Sequence, residues 1–144
     1  MPDKRQVAFE IIQDLLVSLT LTVTALWVSK AGVTPFIVLK ETCFAWAVNM
    51  IIGFTVPERR IGETLAGKMG LKNTPAFLLT MFVIVLINVI GISLCVVWKN
   101  VGLNRQFIAV WAGLFPILMG VGYVAALLWF PVTNGIVGVI YKKR

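Results

Sequence analysis

Four stretches of the chain are apolar for about 20 residues or more, the length a helix needs to cross roughly 30 Å of hydrocarbon. The first runs from about Val7 to Val28, with Glu10 and Asp14 in its opening turns and an uncharged run from Leu15 to Ser29. The second runs from about Pro35 to Val56 and carries Lys40 and Glu41 near its start. The third, Pro75 to Trp98, and the fourth, about Gln106 to Phe130, hold no charge. Between them lie short polar segments with prolines and glycines. The pattern therefore predicts an all-α membrane protein with four transmembrane helices.

Composition agrees. Of 144 residues, 59% fall in the set AVILMFWYC before any glycine is counted, against about 45 to 50% with glycine for soluble domains. A water-soluble domain this small exposes too much surface to hide that surplus. The formal charge of +7 comes from 13 Lys and Arg against 6 Asp and Glu, and its distribution sets the orientation. With the N-terminus inside, the inner flanks hold Lys4, Arg5, Arg59, Arg60, Lys68, Lys72, Lys142, Lys143 and Arg144, and the outer flanks only Lys30, Lys40, Lys99 and Arg105. Positive residues favour the cytoplasmic side, so both termini are expected inside. The basic residues then border an anionic lipid face, and nucleic acid is not an expected partner. Trp27, Phe36, Trp98, Phe107 and Trp129 fall near span ends, as interfacial aromatics do. Lys4 and Arg5 followed by an apolar run, and Ser29-Lys30-Ala31, imitate a secretion signal and its cleavage site. Glu10 and Asp14 sit where such a signal would be uncharged, so an uncleaved first span is expected.

The halves of the chain answer one another. Trp27 and Trp98, Lys30 and Lys99, Gly32 and Gly102, Phe36-Ile37 and Phe107-Ile108, and Pro57 and Pro131 each recur about 70 residues on, the kind of internal symmetry common in membrane proteins. Thr34-Pro35 and Thr74-Pro75 both place Thr at a helix N-cap and Pro at the first helical position. The reading is a tandem of two two-span repeats, residues 1–72 and 73–144. After Pro57, residues 58–69 set Ile61, Leu65 and Met69 one turn apart beside Arg59, Arg60 and Lys68, which predicts an interfacial helix. After Pro131, Thr133-Asn134-Gly135 reads as a turn before a short tail helix, or span 4 simply continues.

Polar residues within the spans are the candidate sites. Glu10, Asp14, Ser18 and Thr22 recur every fourth residue and form a stripe along span 1. Asp14, roughly 6 Å deeper than Glu10, is either an acceptor for a proton or cation or a salt-bridge partner of Arg59, Arg60 or Lys72. Glu41 shares a face with Ala45, Asn49 and Gly53; it marks either a close helix contact with a charge at its wet end or the mouth of an outward-facing cavity. Asn49 and Asn88 lie about 12 Å and 20 Å from the cytoplasmic ends of spans 2 and 3, and serve as interhelical bonds or as substrate ligands. Span 4 carries Gly113, Pro116, Gly120 and Gly122, and Pro116 should kink the helix and free a carbonyl, which in transporters can line a cavity.

The chain has no histidine, which excludes His-based acid–base catalysis, His metal sites and haem ligation. Cys43 and Cys95 lie inside spans and offer no disulfide or zinc spacing. Without a nucleophile–base pair, a metal cluster or a phosphate cradle, neither an enzyme nor a cofactor is expected. Over Leu16 to Ala66, the residues Ser18, Thr20, Thr22, Gly32, Phe36, Phe44-Ala45 and Phe54-x-Val56-Pro57-x-x-Arg60 resemble a family of short two-span bacterial inner-membrane proteins of unknown function. The resemblance implies a tandem two-span unit and no assigned activity. The functional expectation is a small-solute or ion transporter or channel working as a homo-oligomer; the alternative is a non-catalytic accessory or scaffold subunit bound to a partner membrane protein.

Overall fold

The computed structural model describes residues 3–30 and 32–142. Ala31 of the cleavage-site imitation, and Lys143 and Arg144 of the inner basic set, lie outside the described residues. Five helices follow in order: α1 (Lys4–Val28), α2 (Pro35–Thr55), α3 (Glu58–Lys68), α4 (Asn73–Val101) and α5 (Phe107–Lys142). No strand occurs among the described residues. α1, α2, α4 and α5 are each long and apolar enough to cross a membrane.

The helix ends follow local chemistry. Asp3 Oδ1 accepts from the Arg5 backbone N–H at the start of α1, and Thr34 Oγ1 accepts from that of Ile37 at the start of α2, with Pro35 in the first helical turn. The expected Thr74 cap is not used: α4 opens earlier, at Asn73, and Thr74 makes no cap bond. Val56, held extended (φ −110°, ψ 122°) by the proline that follows, separates α2 from α3. α3 ends in a Schellman motif. Gly70 adopts φ 69°, Leu71 N–H donates to the Ala66 carbonyl at 3.0 Å and Gly70 N–H to that of Gly67 at 3.1 Å. This tight reversal folds α3 back along α4.

The four long helices close into a ring in which α1 packs on α2 and α5, and α4 on α2 and α5, while α3 packs on α4. α2 and α3 descend α4 as one interrupted line. Glu41 meets Lys99, Ile52 fits against Gly91, Glu58 meets Asn88, and Gly62 abuts Thr80. The buried face of α3 is Glu58, Gly62 and Ala66, which leaves Ile61, Leu65 and Met69 exposed. The core joins Leu21, Val85, Val89, Leu118 and Ala126. Gly122 lets α5 close on it, since a Cβ there would stand 3.1 Å from Leu21 and 3.2 Å from Val89. Outward faces stay apolar, with Leu39, Ile51, Phe54, Val124 and Leu128 all exposed, as lipid contact requires.

α5 takes the second of the two alternatives for the tail, span 4 continuing past Pro131. It is one helix of 36 residues, about 54 Å long at 1.5 Å per residue, with no turn at Thr133-Asn134-Gly135 and no separate terminal helix. Pro131 lacks the N–H that would bond the Leu127 carbonyl, and Gln13 clasps the helix on both sides of it. Its Nε2 donates to the Ala126 carbonyl at 2.9 Å, and its Oε1 accepts from Thr133 Oγ1 at 2.7 Å, on either side of Pro131. Phe130 is wedged edge-on between Phe9 and Phe77. Trp129 turns inward to donate to Thr20 Oγ1 at 3.0 Å, unlike Trp27 and Trp98, which are exposed as interfacial side chains should be.

Candidate functional site

Two features stand out in the bundle, a cavity toward one end and a layer of buried polar groups below it. The cavity has a volume of about 430 Å³ and lies between the C-terminal halves of α1 and α4 and the N-terminal halves of α2 and α5. Its deep wall is Leu21, Ala45, Ile92 and Leu118; Ser29 and Asn100, at the helix ends, supply polar groups. Glu41 lines it too. The carboxylate is not free. Lys99 Nζ lies 2.6 Å from Glu41 Oε1 and 4.8 Å from the centroid of the Phe44 ring, so the rim carries a neutralised pair. Lys99 was expected only as an outer flanking charge; its tie to Glu41 joins residues 58 apart in sequence, which no local pattern reveals.

None of Asp14, Asn49 and Asn88 lines this cavity. The two asparagines do not meet, and each is held by another partner. Asn49, 1% exposed, donates to Ser18 Oγ at 3.3 Å across α1 and α2. Asn88 donates to Glu58 Oε2 at 2.8 Å and to the Ile84 carbonyl at 3.1 Å. Asp14 is half-buried and borders a void of about 20 Å³ together with Glu10, Met50 and Gly53. The expected salt bridge from Asp14 to Arg59, Arg60 or Lys72 is absent among the described residues: Arg59 instead pairs with Glu63 at 3.7 Å along α3. Glu10 is exposed and accepts from Gln6 at 3.0 Å. Pro116 is exposed on the outer side of α5 and does not line the cavity.

Glu58 is the site residue that sequence reasoning missed. Preceding two arginines and opening a helix after proline, it reads as an ordinary acidic first-turn residue facing water. The overlooked signal is the spacing Glu58, Gly62, Ala66, a small-residue face one turn apart that lets α3 sit against α4 and carries Glu58 inward with it. Its pKa is raised from 4.5 to about 7, chiefly by burial and then by the nearby Asp14 charge, with the Asn88 hydrogen bond opposing and Glu10 adding to the rise. Among the described residues no cluster of three metal-ligating side chains occurs, and Cys43 and Cys95 are free thiols.

No protein-family model, curated protein or solved structure matches the chain.

Proposed function

We propose that this chain is a multi-pass protein of a bacterial inner membrane that carries a small, largely apolar solute across the bilayer. The observation that carries the reading is the 430 Å³ cavity between four apolar helices. Its size falls within the range of about 300 to 1,000 Å³ typical of small-molecule sites, and its lining is mostly aliphatic with a few polar groups at the helix ends. A neutralised Glu41–Lys99 rim suits an uncharged or weakly amphiphilic solute better than an ion. Both termini are assigned to the cytoplasm on the positive-inside distribution. The two halves are assigned as tandem two-span units related by an axis along the membrane normal.

The test is uptake by proteoliposomes of a panel of small neutral and amphiphilic solutes. Ala25 lines the cavity, and Ala25→Phe should fill much of it, lowering uptake at least tenfold while resistance to detergent unfolding stays unchanged. Wild-type uptake no higher than that of empty liposomes over the whole panel would retire the transport reading. One observation bears on assembly under either reading: Gly113 and Gly120 on α5 have no neighbour within 4 Å of where a side chain would start, and Ala109 and Ala112 beside them are exposed. This smooth strip suits a second helix, either from another copy of the chain in a transporting homo-oligomer or from a different membrane protein. Isolation of a stoichiometric heteromeric complex in mild detergent, with no uptake, would select the accessory role.

A further inference from the structure

Glu58 and Asn88 are 8% and 6% exposed. Asn88 Nδ2 donates to one carboxyl oxygen of Glu58 at 2.8 Å, but the other oxygen of each side chain, Glu58 Oε1 and Asn88 Oδ1, is buried with no donor. Two side chains already joined by one hydrogen bond thus each keep an acceptor shut off from water, and neither acceptor can satisfy the other. A single hydrogen would satisfy both. A carboxylic acid and a carboxamide are complementary in this sense: the amide N–H donates to the carboxyl C=O while the carboxyl O–H donates to the amide C=O.

We propose that Glu58 is a proton-binding site in which the bound proton bridges Glu58 Oε1 and Asn88 Oδ1 and latches α3 onto α4. The step is protonation alone. A proton from water joins the carboxylate to give the neutral acid, and no other bond is made or broken. The charges around Glu58 favour it. α1 presents Asp14 and Glu10, both acidic; α2 is uncharged from Thr42 to Thr55, and α4 from Asn73 to Trp98. On α3 itself Arg59, Arg60, Glu63 and Lys68 are exposed, with Arg59 turned to Glu63, and no cation lies within ion-pair distance of Glu58 among the described residues. Loss of the proton would leave a buried carboxylate facing two others, held by one hydrogen bond. The latch does not depend on the transport reading.

With Glu58 at about 7 when docked and near 4.5 when free, docking should weaken as pH rises between those values, by about fortyfold from pH 5 to 7. Amide hydrogen exchange of the full chain in lipid nanodiscs, corrected for intrinsic pH dependence, measures this as the protection of α3 relative to α4. Glu58→Gln supplies an uncharged N–H in place of the proton and should hold α3 protected at every pH. Replacing sodium by choline at fixed pH should change nothing. Wild-type protection independent of pH, a Glu58→Gln variant that titrates like wild type, or a dependence on sodium would each overturn the proposal. Should Glu58→Gln fail to fold, infrared spectra of the wild type decide. A protonated-carboxyl band that disappears near pH 7, and shifts to lower pH in Asp14→Asn, supports the site; its absence at pH 5 refutes it.

Discussion

Gln13 and Thr133 are joined by a 2.7 Å hydrogen bond, and the same glutamine donates to the Ala126 carbonyl at 2.9 Å. Both contacts are buried, and together they clasp α5 above and below Pro131. Gln13→Leu should lower resistance to unfolding by about 1 to 2 kcal/mol, the upper range for polar bonds between membrane helices. The check is a double-mutant cycle with Thr133→Val in denaturing-detergent titrations. A coupling of at least about 0.5 kcal/mol is expected; simple additivity would show that the clasp contributes nothing.

Two glycines of α3 should respond in opposite ways to the same change. A Cβ on Gly62 would stand 2.9 Å from the Thr80 backbone, whereas Gly67 has nothing within 4 Å. Gly62→Ala should therefore destabilise by about 1 to 3 kcal/mol through overpacking. Gly67→Ala should be neutral or stabilise by up to about 1 kcal/mol through helix propensity. Unfolding of the two variants in parallel makes the comparison.

The sequence made the spans legible but not their full extent. α4 and the first two thirds of α5 could be placed from long uncharged runs because lipid tolerates little else. The end of α5 could not, because Pro131 followed by Thr133-Asn134-Gly135 has the composition of a turn in water. Gln13, more than 110 residues away, binds the continuing helix on both sides of that proline. The polar sites show the same division. For Glu41 the face on α2 left a close helix contact and a cavity mouth both open, whereas the need of Asn49 and Asn88 for partners followed from their place in apolar helices. Which partners they found, Ser18 and Glu58, depended on how α1 and α3 dock, and that is a property of packing between distant segments. Asp14 was expected to seek an arginine; the arginines of α3 instead face outward, because the inward face of that helix is taken by Glu58, Gly62 and Ala66.

Stability should depend on pH with a defined sign. Glu58 has a folded pKa of about 7, above its ordinary value of 4.5, so between those values the folded chain holds more protons than the unfolded chain. This group's penalty is absent below pH 4.5, grows as pH rises, and is complete above pH 7, where it amounts to about 3 kcal/mol. Unfolding titrations at pH 5 and pH 8 should show the folded state weaker at pH 8, and Glu58→Gln should reduce the difference.

The rim pair should matter less. Glu41 and Lys99 side chains are 20% and 33% exposed, and partly solvated pairs contribute about 0.2 to 1 kcal/mol. Lys99→Met should cost no more than this, and the exchange Glu41→Lys with Lys99→Glu should recover part of the loss in low salt. A loss above about 2 kcal/mol would mean that the pair closes the cavity and does not merely edge it.

The pairing of α1 with α5 also fixes when the protein can be finished. α1 leaves the ribosome first, yet the partners of Gln13 follow it by 113 and 120 residues, and Tyr141, which donates to the Lys4 carbonyl, follows by 137. Until the last helix is synthesised, the first must wait in the membrane with a bare carboxamide and an open flank. Such long-range closure is slow and leaves unfinished chains exposed to proteolysis and misassembly. Premature termination anywhere before Ala126 would leave that amide without either partner, so truncated products should be cleared rather than accumulate.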